Sequence, residues 1–79
     1  MSDRIVKQYI TFVRVPYEGK TSKWGIINNR SGDVLGGILW YGRWRQYVFE
    51  PVEGCVFNDG CLADIQQHIA DLNAARRSK

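Results

Sequence analysis

The sequence predicts an α+β fold, in which an antiparallel β-meander of about four strands carries one C-terminal amphipathic helix on one sheet face. Two patterns support this prediction. Residues 5–50 form strand-length apolar runs divided by turn-forming residues, and residues 62–72 repeat apolar side chains at helical spacing. A chain of 79 residues supports a single core. The predicted domain therefore comprises residues 1–79, with residues 76–79 as a frayed basic tail.

The composition is that of a folded chain with a modest basic excess. It is 44% hydrophobic and contains three Trp, four Tyr and three Phe, whereas disordered chains are poor in aromatic residues. The net charge is +3, and Arg76, Arg77 and Lys79 contribute much of it. This balance admits nucleic acid as a partner without requiring it.

The first two predicted strands follow from β-branched and aromatic runs. Residues 5–15 alternate with period two and end at Pro16, which removes a backbone donor and precedes turn chemistry in residues 17–20. The second strand covers about residues 22–28. A run of Asn, Ser, Gly and Asp in residues 28–33 then predicts a hairpin connection.

The next two strands form the best-signalled hairpin of the chain. The third strand is predicted over residues 34–41, and the fourth ends near Glu50, before Pro51. Gly42 suits the first central position of a two-residue turn, so Tyr41 is expected opposite Trp44. The remaining pairs follow from that register.

The C-terminal helix is predicted from a change of period. Asn58 or Asp59 is a suitable N-cap, because both side chains can accept hydrogen bonds from the first helical amides. The apolar stripe consists of Leu62, Ile65, Ile69 and Leu72.

The hairpin places apolar and aromatic side chains on both faces of the sheet, and one helix covers only one face. We therefore expect the second face to be an interaction surface. The first face carries Val34, Ile38, Trp40, Tyr47 and Phe49, and the second carries Leu35, Leu39, Tyr41, Trp44 and Val48. The candidate interaction surface comprises Trp40, Tyr41, Arg43, Trp44, Arg45 and Tyr47.

Two classes of partner suit this surface. A second copy of the chain, or another protein, is the leading interpretation, because symmetric oligomers bury such faces. Single-stranded nucleic acid is the alternative, since bases stack on aromatic rings while arginines neutralise phosphates. Against it, the basic residues alternate along the chain with acidic ones, namely Glu18, Asp33, Glu50 and Glu53.

No group of residues predicts catalysis, a metal site or a cofactor. Cys61 and His68 lie two helical turns apart, too far for a nucleophile and its base, and are expected at the rim of the helix interface. With Cys55 they give three candidate zinc ligands, where a structural site needs four. Gly36 and Gly37 lack the context of a phosphate-binding loop and predict a bulge or the close approach of a ring.

The location follows from what the sequence does not contain. It has neither a signal-peptide pattern nor an apolar segment of membrane-spanning length, so the protein is expected in the cytoplasm, without a membrane partner. The two cysteines are accordingly expected as free thiols, buried or half-buried.

The block from Ser31 to Pro51, with Cys61–Ile65 after it, resembles a group of small uncharacterised bacterial proteins. These are similar to open reading frames carried by phages, integron cassettes and other mobile elements. The distinctive part is Trp-Tyr-x-x-Trp-Arg-x-Tyr-x-Phe-x-Pro, which begins at Trp40. The resemblance implies a bacterial accessory protein and brings no activity, cofactor or site residue with it.

Overall fold

The structure, a computed structural model, describes residues 3–16 and 19–77 and has five strands and one helix. All neighbouring strands pair antiparallel, in the order of the chain, which makes the sheet a meander. The predicted α+β fold is therefore confirmed. The elements are β1 Arg4–Val6, β2 Ile10–Val15, β3 Lys23–Asn28, β4 Val34–Tyr41, β5 Gln46–Pro51 and α1 Asp59–Arg77.

The predicted first strand is divided into β1 and β2, which form a hairpin of their own. The Lys7 N–H donates to the Ile10 carbonyl at 2.8 Å, which closes a tight turn at Gln8 and Tyr9. Asn29, on the neighbouring connection, donates from Nδ2 to the Lys7 carbonyl at 2.8 Å. The turn thus depends on an amide distant in sequence, and the local sequence contains neither Gly nor Pro to announce it.

The β4–β5 hairpin has the predicted strands but a different register. Tyr41 pairs with Gln46 and not with Trp44, because the loop has four residues, 42–45, where two were predicted. Arg45 closes this loop with a φ of 55°, in the left-handed region that residues other than Gly rarely adopt. The register shift is two residues, so the side chains of β5, and those of β4 from Gly36 onward, keep their predicted faces.

A β-bulge in β4 changes which side chains point inward. Ile26 pairs with Gly36 and Ile27 pairs with Val34, so Leu35 is the extra residue. Leu35 is buried with the helix-side core, while Val34 is 57% exposed. The bulge near Gly36 was predicted and is confirmed, and the predicted faces of Val34 and Leu35 are exchanged because of it.

Helix α1 begins where the cap was predicted, but its buried stripe is rotated. Asn58 is the N-cap: its Oδ1 accepts the Cys61 N–H at 2.8 Å. Cys61, Ile65 and His68 are buried against the sheet, whereas Leu62 is 48% exposed. Leu62 is therefore not part of the stripe, and Cys61 and His68 are core residues, contrary to the rim position expected for them.

The helix continues through Arg77, so the first half of the predicted frayed tail is helical. Residues 78–79 lie outside the described residues. The same holds for residues 17–18 of the predicted turn after Pro16 and for the Glu18 charge.

The two faces of the sheet differ in character. The helix side carries most of the rings, with Phe12, Trp24 and Tyr47 buried there. The opposite side is mainly aliphatic, and within residues 3–16 and 19–77 no helix or strand packs over it. Of the residues predicted for the second face, Leu39, Tyr41 and Val48 lie on this side, and Leu35 does not. We call this side the open face. By register its apolar residues are Val6, Val13, Val15, Ile27, Val34, Leu39, Tyr41 and Val48, and it also carries Arg4, Thr11, Lys23, Gln46 and Glu50.

Candidate functional site

The six residues of the predicted interaction surface do not form one surface. Tyr47 is buried on the helix side, where its hydroxyl oxygen accepts the Ser22 N–H at 3.0 Å. Trp40 lies beside it, with the two ring centroids 5.4 Å apart, and is half-buried. Tyr47 is therefore a core residue and is not available to a partner.

The other four predicted residues lie at the tip of the β4–β5 hairpin. The Trp44 ring meets the edge of the Tyr41 ring at a centroid distance of 5.0 Å and is still 63% exposed. Arg43 and Arg45 are exposed in the same loop. This part of the prediction, a clustered aromatic and basic tip, corresponds to the structure.

The hairpin tip and the C-terminal part of α1 enclose a cleft of about 410 Å³. That volume is within the range of roughly 300–1,000 Å³ typical of small-ligand sites. We call it the Trp cleft, and it is lined by Trp40, Trp44, Arg45, Gln46, Asn73 and Arg76. Three of these residues, Gln46, Asn73 and Arg76, were missed as site residues.

Each of the two helix residues is held in place by a contact with the sheet. The Arg76 guanidinium lies over the Trp40 ring, 4.3 Å from the ring centroid, in a cation–π contact. Asn73 Oδ1 accepts the Tyr47 N–H at 2.9 Å. Arg76 follows Leu72, a residue of the predicted apolar stripe, by four positions, which places both on the same side of the helix. This spacing was the signal in the sequence that Arg76 faces the sheet.

Charge is distributed unequally between the two ends of the sheet. The β2–β3 connection, the hairpin tip and the end of α1 meet at one end, which we call the basic end. Its basic residues are Arg14, Lys20, Lys23, Arg43, Arg45 and Arg76. Among the described residues the acidic side chain found there is Asp3, 3.7 Å from Arg14 in an exposed ion pair.

Two of the acidic residues that argued against a nucleic acid partner, Asp33 and Glu53, lie at the opposite end, in the β3–β4 turn and in the segment after β5. Glu50 pairs with Gly37 within the sheet, and Glu18 falls outside the described residues. The antiparallel topology thus separates Asp33 and Glu53 from the basic end, and the argument from alternating charge now rests on Glu18 and Glu50.

A larger cleft of about 620 Å³ lies at the opposite end, and its polar groups are already used. Asn29 Nδ2 donates to the Lys7 carbonyl, and Asn29 Oδ1 accepts the Thr11 hydroxyl. Asn28 Oδ1 accepts the Arg30 N–H, and Asn58 caps α1. These amides hold turns and a helix end, so the cleft has the character of a structural junction.

His68 is enclosed by rings in the core between α1 and the sheet. Its imidazole stacks on Phe12 at 4.5 Å between centroids and meets Trp24 edge-on at 4.6 Å. Nε2 is buried without a hydrogen-bond partner. Burial lowers the pKa of His68 below its ordinary value of 6.5, with Lys7 adding to the effect and Asp71 opposing it. The neutral imidazole is thus the folded form.

Acid is expected to destabilise the fold through His68. Because its pKa is lower in the folded than in the unfolded protein, the unfolded chain binds more protons below about pH 6.5. The free energy of unfolding should be constant above that pH and fall below it, by at most ~1.4 kcal/mol per pH unit. Urea unfolding between pH 5 and 8 measures this.

The control for this prediction is His68→Leu, which is similar in volume and removes the unpartnered nitrogen. Since His68 is the single histidine of the chain, the variant should lose the decline between pH 5 and 6.5. It should also be more stable than the parent by about 1 kcal/mol at neutral pH, because a buried polar atom without a partner is removed. An unchanged pH dependence in the variant would contradict the assignment to His68.

The cysteines are free thiols, Cys55 half-buried and Cys61 buried, as expected. Within the part of the chain that the structure describes, no three side chains of His, Cys, Asp or Glu come together as a metal site. In that same part, no helix combines the length and apolar character of a membrane span.

Comparison with known proteins gives one relative. The chain is 32% identical over 71 residues to a protein described as an uncharacterised 9.3 kDa protein of Acholeplasma phage L2, with 89% of this chain and 91% of the phage protein covered. No protein-family model matches the chain. No solved structure matches it at a significant level. The extent and identity of the alignment nevertheless show the relationship, and the chain belongs to the same family as this phage protein.

Proposed function

We propose that the protein is a non-enzymatic binding protein of a phage or related mobile element, including integron cassettes, and acts in the cytoplasm of the host. It self-associates through the open face of its sheet. The observation that carries this proposal is the apolar character of that face, on which Leu39 and Val48 are direct cross-strand neighbours. The aromatic block that begins at Trp40 is proposed as a signature of the family.

The size of the open face suits a protein interface. Five strands about 4.8 Å apart and some six residues long span on the order of 400 Å² in projection. Contiguous apolar patches of several hundred Å² on soluble proteins usually mark interaction sites. A stable dimer buries roughly 800 Å² per partner, so the proposed interface includes the rim of the open face as well.

The edges of the sheet are less suited to association than its open face. At one edge, β1 has three residues, too few for an extended ladder. At the other edge, β5 ends at Pro51, which has no N–H, and its Tyr47 N–H is bonded to Asn73. A second copy is therefore expected to pack face to face and not by strand addition.

The substitution Val48→Lys tests this mode of association. Val48 lies on this face in the edge strand β5, beside Leu39. A lysine there places a charge in an apolar interface, so we expect dimerisation to weaken by about tenfold or more. The monomer should keep its fold, because a lysine on an exposed sheet face is tolerated. Sedimentation velocity over a range of micromolar concentrations measures the change, and circular dichroism checks the fold.

The matched control is Leu62→Lys, which adds the same charge at a half-exposed leucine of α1, away from the open face. It should dimerise like the parent. Should the parent protein sediment as a monomer throughout, self-association is wrong. If both lysine variants weaken association equally, the interface includes the helix and not the open face alone.

A further inference from the structure

We propose that the Trp cleft binds a single-stranded nucleic acid segment, with one base stacked on Trp44 and the adjoining phosphates bound by Arg45 and Arg76. This site borders the open face at Tyr41, which contacts Trp44, and its binding role goes beyond the self-association proposed above. It also differs from the surface expected from the sequence, because it lies between the hairpin tip and α1.

Trp44 provides the stacking platform. Its indole is 63% exposed, and an edge contact with Tyr41 at 5.0 Å fixes the ring in one orientation. Bases of any sequence stack on such a ring.

Arg76 is preorganised for a phosphate on the opposite wall. Its guanidinium rests on Trp40 at 4.3 Å, and this contact holds the plane of the group while leaving its edge donors for an anion. Trp40 is in this interpretation a positioning residue, already packed against the buried Tyr47 at 5.4 Å. Asn73 and Gln46 add amide groups to the wall between the two rings.

Arg45 occupies a backbone position that favours glycine, and this argues for a role of its side chain. With a φ of 55°, the residue closes the hairpin loop at a conformational cost that glycine would not have. Strained positions of this kind persist where the side chain serves a function. Here the guanidinium lines the Trp cleft across from Arg76.

The charge distribution directs an anionic chain to this cleft. The basic end brings Arg14 and Lys20 close to Arg76 on the adjoining surface, which extends the positive region beyond the cleft. The acidic residues of the described segments lie mainly at the other end. A strand with several phosphates therefore gains from contacts on both sides of Arg76, which a single nucleotide lacks.

Titration of a fluorescein-labelled oligothymidylate of twelve nucleotides with the protein tests the proposal. We expect saturable binding at low salt by fluorescence anisotropy, with quenching of tryptophan emission. Affinity should fall as salt rises, with a log–log slope of about −2 for three neutralised phosphates. Thymidine monophosphate serves as the comparison probe and should bind at least tenfold more weakly than the oligonucleotide.

Three variants separate stacking and charge from folding. Trp44→Ala should lose roughly tenfold to a hundredfold in affinity, while Trp44→Phe retains most of it. Arg45→Gly should bind several-fold more weakly and yet unfold at a higher urea concentration, because the strained φ is relieved. Arg30→Gln removes an exposed charge at the opposite end of the sheet and should bind like the parent.

The results that overturn the proposal are distinct. Absence of binding at low salt excludes the site. Equal losses in Arg45→Gly and Arg30→Gln, with no loss in Trp44→Ala, would show that only net charge matters. If the monophosphate binds as tightly as the oligonucleotide, the cleft is a nucleotide site and the proposed strand is wrong. The Val48→Lys variant should bind like the parent monomer, so failure of the dimer and failure of the cleft are distinguishable.

Discussion

Replacing Gly36 with alanine is expected to destabilise the protein by about 3 kcal/mol, at the upper end of the usual cost of overpacking. A Cβ at this position would lie 2.6 Å from the Glu50 carbonyl oxygen, 2.8 Å from Cε1 of Phe49 and 3.0 Å from Cα of Pro51. Two of these three atoms are backbone atoms of the adjoining strand β5. Relief of the clash therefore requires β4 and β5 to separate, because no flexible side chain can move aside.

The effect of Gly36→Ala can be measured by thermal unfolding, where a loss of this size in a domain of under 100 residues lowers Tm by on the order of 15 °C. Gly25→Ala is the matched control in the same sheet, since its nearest atoms would be 3.9 Å away. That variant should be unchanged or stabilised by ~0.5 kcal/mol, as alanine restricts the unfolded chain. Equal stability of the two variants would show that β5 does not approach Gly36 as described.

Replacing Phe12 with alanine is expected to cost roughly 3–5 kcal/mol. Phe12 is 0% exposed and stacks on the His68 imidazole, so its removal leaves a cavity and also uncovers a polar ring. The whole free energy of unfolding of a domain of this length is ~4–12 kcal/mol. The variant should therefore lose a large part of its stability and unfold at a much lower urea concentration than the parent.

Phe57→Ala is the control for Phe12→Ala. Phe57 is half-buried and meets Phe49 edge-on at 5.3 Å at the periphery of the core. Its loss should cost about half as much, and the variant should remain folded. Urea unfolding followed by circular dichroism, with proton NMR for the native state, compares the two. A fully folded Phe12→Ala protein with an unchanged midpoint would place the centre of the core elsewhere.

Features with local signals were predictable. Strand β4 has its predicted bounds, because turn-forming residues precede it and Gly42 follows it. The cap at Asn58 was one of two predicted residues, since few side chains can accept the first helical amides. The bulge near Gly36 followed from paired glycines inside a strand pattern.

Features that depend on contacts distant in sequence were not predictable. The break between β1 and β2 depends on Asn29, and the hairpin register depends on Arg45 adopting a conformation that its residue type gives no reason to expect. His68 was placed at the rim because it lies at the border of the predicted apolar stripe on the helical wheel, whereas Phe12 and Trp24 enclose it. These errors arise from tertiary structure, which no local pattern records.

The candidate site was predicted in part. Four of the six residues chosen do lie together at the hairpin tip, because a tight loop keeps sequence neighbours in contact. Tyr47 is buried, and Asn73 and Arg76 join the Trp cleft from a helix 26 residues or more beyond the loop. The clustering of basic residues at one end of the sheet was also missed. It arises because the antiparallel order of the strands brings the β2–β3 connection and the β4–β5 hairpin tip to the same end.

The three tryptophans occupy three different environments, and this makes the chain its own spectroscopic probe. Trp24 is 2% exposed in the core, Trp40 is half-buried beneath Arg76, and Trp44 is 63% exposed. Acrylamide should quench the emission of Trp44 most strongly, that of Trp40 less and that of Trp24 least. Variants that keep a single tryptophan would report separately on global unfolding (Trp24), detachment of the helix end (Trp40) and occupancy of the cleft (Trp44). Folding, local fraying and ligand binding can thus be followed in one molecule without any attached dye.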